Sequence, residues 1–94
     1  MKLTVRQIDT AKPKEKPYKL SDGGGLYLEV TTNGSRYWRL KYRYAGKEKR
    51  LAFGVYPEVS LAQAREKRDA AKKLLSAGSD PGEVKKAEKI AREL

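Results

Sequence analysis

An α+β fold follows from three observations: a three-stranded antiparallel sheet packed on one C-terminal α-helix, with a short N-terminal helix before it. Residues 26–53 alternate apolar and polar side chains in three runs separated by turn-forming residues. Ser60-Leu61-Ala62-Gln63 is a capping box that opens a helical stripe. The 94 residues suit one small core and leave no room for two.

Each element has its own local cause. Thr4 and Gln7 form a capping box, and Leu3 with Ile8 occupies the positions of a hydrophobic staple, so a short helix starts at Thr4. Pro13 ends it, and Lys12 to Lys16 reads as a flexible basic arm bounded by prolines. Ser21-Asp22-Gly23-Gly24-Gly25 reads as a tight turn into the first strand. A phosphate-cradling loop would need a Lys-Ser/Thr ending and a following helix, and neither is there.

The first strand sets Leu26, Leu28 and Val30 against Tyr27, Glu29 and Thr31. Asn33-Gly34 predicts a type I′ hairpin turn. Residues 36–44 then set Trp38, Leu40, Tyr42 and Tyr44 against Tyr37, Arg39, Lys41 and Arg43. After a turn at Ala45-Gly46-Lys47, residues 48–53 set Leu51 and Phe53 against Glu48, Arg50 and Ala52.

Ser60 caps a helix from about Leu61 to Ala77, with Leu61, Ala64, Ala71, Leu74 and Leu75 on one stripe and Gly78 at its end. Arg68 lies inside the stripe, and its aliphatic stem is expected to run along it in place of a buried ion pair. Asp80-Pro81-Gly82-Glu83 restarts a helix, with Asp80 as N-cap and Pro81 at the first position. Residues 83–94 are charge-balanced and poor in apolar side chains, which suggests a linker helix.

The charge is uneven. With 22 Lys+Arg against 12 Asp+Glu the formal net charge is +10, and the seven basic and two acidic side chains of residues 26–56 supply half of it. A surplus concentrated on a sheet suggests a nucleic-acid footprint. The absence of both His and Cys removes disulfides, the usual transition-metal ligands and the commonest general acid/base. The serines have no imidazole to activate them. No catalytic residue, metal or cofactor is therefore expected, nor any membrane partner, since no apolar run nears the ~20 residues of a span. A cytoplasmic location follows as an expectation.

Strand parity sorts the aromatic and basic residues. Trp38, Tyr42 and Tyr44 share the apolar face and are expected in or at the rim of the core, whereas Tyr27 and Tyr37 point the other way, toward a ligand. Arg39, Lys41, Arg43 and Arg50, with Tyr27 and Thr31 beside them, form a basic face that the helix leaves open. Lys47 and Lys49 near the second turn suit flanking phosphates, and Lys12, Lys14 and Lys16, with Lys2 and Arg6, suit an adjacent backbone or minor groove. Duplex DNA is the expected partner, with a narrow sheet in the major groove. A double-stranded RNA module and a protein docking domain are the alternatives.

An ordered series of short motifs resembles the N-terminal arm-type DNA-binding domain of phage and genomic-island tyrosine integrases, the P4-like group. The series is Ala11-Lys12-Pro13, Tyr18-Lys19-Leu20-Ser21-Asp22-Gly23-Gly24-Gly25-Leu26-Tyr27-Leu28, Gly34, Trp38, Arg43-Tyr44-Ala45-Gly46-Lys47, Gly54-Val55-Tyr56-Pro57, Ser60-Leu61-Ala62-Gln63-Ala64-Arg65 and Gly78-Ser79-Asp80-Pro81. It covers about residues 2–82. The resemblance implies a three-stranded sheet backed by a helix that binds arm-type sites flanking an attachment site. It further implies core-binding and catalytic domains in the same parent chain, a tyrosine recombinase that integrates or excises a prophage or genomic island with accessory recombination factors. Residues 1–78 would then be the arm-type domain and 79–94 a linker helix toward the core-binding domain. The sheet residues Tyr27, Thr31, Arg39, Lys41, Arg43 and Arg50 would meet DNA.

Overall fold

A computed structural model describes residues 2–93; Met1 and Leu94, the outer ends of the two segments expected above, lie outside the described residues. The chain runs α1 (Val5–Thr10), β1 (Tyr18–Gly23), β2 (Leu26–Val30), β3 (Arg36–Tyr44), β4 (Lys47–Val55), α2 (Leu61–Ser76) and α3 (Pro81–Glu93). The sheet is an antiparallel meander in the order β1-β2-β3-β4. It has four strands where three are predicted, and two C-terminal helices follow it where one is predicted to pack.

The extra strand is β1, which pairs along β2 from Tyr18↔Val30 to Gly23↔Leu26. Its register shifts between Ser21 and Gly23, so Asp22 is the extra residue of a bulge. The predicted turn shrinks to Gly24-Gly25, both at positive φ. At Gly25 a Cβ would come within 2.2 Å of the Lys41 carbonyl oxygen, so this crossing of two backbones admits only glycine.

The first hairpin turn departs from its expected type. At Asn33-Gly34 only Gly34 has positive φ (89°), and Gly34 N–H donates to the Thr31 carbonyl at 3.0 Å. That is a type I turn with a glycine bulge, not the type I′ turn that Asn-Gly favours. The Asn33 side chain is used instead as an acceptor for the Ser35 amide at 3.2 Å. The two-residue loop at Ala45-Gly46, with φ of 53° and 77°, has the type I′ sign at both positions.

Both predicted capping boxes, at Thr4 and at Ser60, are present. Leu26, Leu28, Val30, Trp38, Leu40 and Tyr42 face α2 and are buried with Leu3, Ile8, Leu61, Ala64 and Ala71. Trp38 is fully buried, its indole N–H donating to the Val59 carbonyl at 2.7 Å. Phe53 is the extra residue of a second bulge, packed at the edge of this core.

Arg68 departs from its expected role. Its guanidinium lies 3.0 Å from the Asp22 carboxylate, whose side chain has no solvent exposure. Asp22 also accepts from the Leu3 amide at 2.7 Å and from Arg65 Nε and Nη2 at 3.0 and 2.8 Å. The Arg65 hydrogen bond, aided by the Leu3 amide and the two positive charges, holds the Asp22 carboxyl below its usual range despite burial. A stem lying on the stripe would have left that carboxylate with one cation fewer, and a buried charge cannot be spared its partners.

Two outcomes follow. Ala45→Asn puts a residue that tolerates the left-handed region where alanine is strained and raises stability by about 0.5–1 kcal/mol, a Tm increase of roughly 3–6 °C; an unchanged or lower Tm in a thermal melt contradicts this. Asp22→Asn strands two guanidiniums and lowers the urea-unfolding free energy on the order of 3 kcal/mol, and a loss of a few tenths would show the network to be ornamental.

Candidate nucleic-acid interface

Cross-strand partners share a face, so the register assembles the surface away from α2. Lys19 lies opposite Glu29, Tyr27 opposite Arg39, Lys41 opposite Arg50, and Arg43 opposite Glu48. Five cations, Lys19, Arg39, Lys41, Arg43 and Arg50, thus project from one side of a twisted sheet. Lys19, Lys41, Arg43 and Arg50 are exposed, and Arg39 is half-buried. Two carboxylates interrupt them. Glu48 pairs with Lys41 at 2.7 Å, and Glu29 lies 3.7 Å from Arg39.

Tyr27 holds its expected face but not its expected exposure. It is 4% exposed, with the Lys19 ammonium 4.9 Å from its ring centroid and Arg39 directly across the strand pair. The Lys19 side chain therefore lies over the ring, and a hollow of about 370 Å³ lined by Lys19, Ser21, Tyr27 and Lys41 lies beside it. Neither the Tyr27 hydroxyl nor Arg39 Nε has a hydrogen-bond partner among the described residues. Tyr37, on the same face, is half-buried opposite Glu29.

The flanking candidates divide. Lys47 is exposed at the start of β4, but it pairs with Tyr44 and so also belongs to the helix-facing side of the sheet. Lys49 is one residue out of phase with Arg50 and lies on the helix-facing side, where its ammonium pairs with Asp80. Thr31 sits in the first hairpin loop, its hydroxyl directed to Asn33 Oδ1 and the Ser35 carbonyl. Lys12, Lys14 and Lys16 are exposed. Their segment is nevertheless tethered, since the Tyr18 hydroxyl donates to the Lys12 carbonyl at 2.6 Å and the Lys14 ammonium lies 4.4 Å from the Tyr18 ring centroid. Parity missed Lys19, because the strand that carries it is hidden in a Lys-Leu-Ser-Asp run with only one strongly apolar residue.

Asp80 is the second buried carboxylate. It accepts from the Tyr42 hydroxyl at 2.6 Å, from the Gly82 amide at 2.9 Å as an N-cap, and from Lys49. The Lys49 and Tyr42 hydrogen bonds pull its pKa down to about 2, while burial and the same carboxylate push the Tyr42 phenol up to about 12. The first turn of α3 is thereby fixed to β3 and β4, and Pro81 is buried with it. No helix among the described residues is long and apolar enough to cross a membrane.

The arm DNA-binding domain family matches residues 3–88. The chain is 66% identical over 88 residues to the integrase of Enterobacteria phage P4, an alignment covering 92% of this chain and 20% of that protein. It is 54% identical over 85 residues to the integrase of Shigella phage Sf6 and equally to the prophage integrase IntS of Escherichia coli K12, covering 90% of this chain and 22% of each. The chain thus spans about a fifth of the length of these relatives.

The two lysines beside the second turn are separable by experiment. Lys49→Met lowers the Tm at pH 7, whereas Lys47→Met leaves it unchanged. Because the folded pKa of Asp80 is depressed from 3.8 to about 2, the stability it contributes is present above pH 4 and is lost as pH falls through about 2. The Tm gap between Lys49→Met and wild type therefore closes over that window; a gap that persists at pH 2 would assign Lys49 another role.

Proposed function

Because the chain belongs to the arm DNA-binding domain family, we propose that it binds duplex DNA sequence-specifically by placing the outer face of its sheet in the major groove. The observation that carries this reading is the one-sidedness of the sheet. The apolar face is closed by α2, and the opposite face presents five cations on neighbouring strands. A major groove about 12 Å wide admits a ribbon of two or three strands at about 4.8 Å spacing. Four of the five cations, Arg39, Lys41, Arg43 and Arg50, belong to the adjacent pair β3 and β4, which suits such a ribbon.

In this reading Arg43, Arg50 and Lys41 hold phosphates along the groove walls. Lys12, Lys14 and Lys16 track the neighbouring backbone from the segment that Tyr18 tethers. Lys49 supports α3 from the other face and is not among the contacts. The DNA would be the arm-type sites of an attachment site. The parent chain would be a tyrosine recombinase of a prophage or genomic island, acting in the cytoplasm, with its core-binding and catalytic domains beyond α3 and accessory recombination factors on the same DNA. Residues 1–78 would form the DNA-gripping unit and 79–94 the link to the rest.

If about five phosphates are neutralised, log K falls against log salt with a slope near −4 to −5. Arg43→Ala weakens binding to all duplexes alike and makes that slope shallower by about one, and duplex RNA of the same sequence competes poorly. Fluorescence anisotropy over a salt series measures all three. A slope near zero, or equal competition by RNA, would sink the proposal.

A further inference from the structure

Glu29 projects from β2 between Lys19 and the Tyr37 position, diagonal to Arg39, on a face that further along carries Lys41, Arg43 and Arg50. A phosphate brought near this carboxylate meets like charge, where partial burial weakens screening. A base edge offers the opposite, because the exocyclic amines of cytosine and adenine are donors that a carboxylate can accept. The other carboxylate of the face, Glu48, sits in a pair with Lys41 whose side chains are both more than half exposed, a solvated surface contact. Glu29 is only 22% exposed, and the 3.7 Å to Arg39 Nη2 is too long for a hydrogen bond.

The surroundings of Glu29 are under-bonded. Arg39 Nε and the Tyr27 hydroxyl are both buried with no partner among the described residues. Buried donors without acceptors are unfavourable, so this guanidinium gains bonds by leaving its folded-down position. Tyr27 lines the adjacent hollow with Lys19 and Lys41, so its unpartnered hydroxyl belongs to the same under-bonded region.

Resting on the reading that this face binds DNA, we propose that Glu29, Arg39 and Tyr27 form its base-reading centre. Arg39 rises to the O6 and N7 edge of a guanine, and Glu29 accepts a hydrogen bond from the N4 amine of a cytosine in the same or the next base pair. Tyr27 supplies the third polar group. The surrounding cations take the phosphates, so specificity and affinity are carried by different residues of one sheet.

The test is selection from a duplex library with a randomised centre, using wild type, Glu29→Gln and Arg39→Lys, followed by affinity measurements on selected and random duplexes. Wild type is expected to enrich a site containing a G·C step. Glu29→Gln moves one position from cytosine toward adenine or flattens it, and cuts the ratio of selected to random affinity about tenfold. Its affinity for random duplex rises, because one negative charge is gone. Arg39→Lys keeps the charge but loses the fork, so a neighbouring position flattens while the salt slope stays unchanged. The inference is overturned alone if wild type enriches a site and Glu29→Gln enriches the same one, gaining affinity for all duplexes by one common factor. A wild type that enriches nothing overturns the DNA reading and this inference together.

Discussion

The carboxylate of Asp22 is where three parts of the chain are made to agree. It sits in a bulge of β1, without solvent exposure, and receives four hydrogen bonds from Leu3, Arg65 and Arg68. Arg65 Nη2 also donates to the Leu3 carbonyl at 2.7 Å, so the entry to α1, the edge strand and α2 close into one network. A buried carboxylate tolerates this position only while its cations are in place. The network therefore does more than add stability: it fixes which face of the sheet α2 must cover.

The charge of the uncovered face follows from that choice. Residues alternate sides along a strand, so every inward residue of β3, from Trp38 to Tyr42, commits Arg39, Lys41 and Arg43 to the opposite surface. Ala64 and Ala71 are small enough for α2 to approach the sheet and shut out water, which leaves no second apolar surface that would hide those cations. A row of like charges on adjacent strands is unfavourable in isolation. Glu29 and Glu48 offset it only in part, and the remaining surplus is what a polyanion would neutralise.

How much of this could be read from the residues depends on where each element gets its stability. The middle strands, both capping boxes and the buried Trp38 were legible because pattern and packing agree there. The strand β1 was not, since Lys19, Ser21, Asp22 and Gly23 have little strand preference of their own. Its pairing is supplied by β2 and its anchoring by arginines more than 40 residues away. Asp22 looked like a turn residue because it stands before three glycines, and only the bulge reveals it as an inward group. The turn at Ala45-Gly46 shows the same override. A residue ill-suited to positive φ accepts it because the flanking strands demand a two-residue connection of that twist. On the basic face, parity placed Tyr27, Arg39, Lys41, Arg43 and Arg50 on one side. It could not foresee that the Lys19 chain would lie over Tyr27, nor that Lys49 would be claimed by Asp80.

The claim of Asp80 on Lys49 also changes how α3 relates to the sheet. Local composition makes α3 a marginal helix, and its beginning is held by contacts that lie outside its own sequence. Those contacts are Tyr42 and Lys49 through Asp80, and the Ala52 carbonyl through Lys85. Burial and the neighbouring Lys67 and Lys89 lower the Lys85 pKa, a sign that its ammonium is held near the protein. Tyr42 precedes Arg43 and Lys49 precedes Arg50 in the same two strands. Tyr42 and Lys49 are therefore each one position out of phase with a cation of the outer face, on backbone that the β3–β4 ladder makes stiff. A load applied to Arg43 or Arg50 is carried by the same short stretch of sheet that sets the direction in which α3 leaves it.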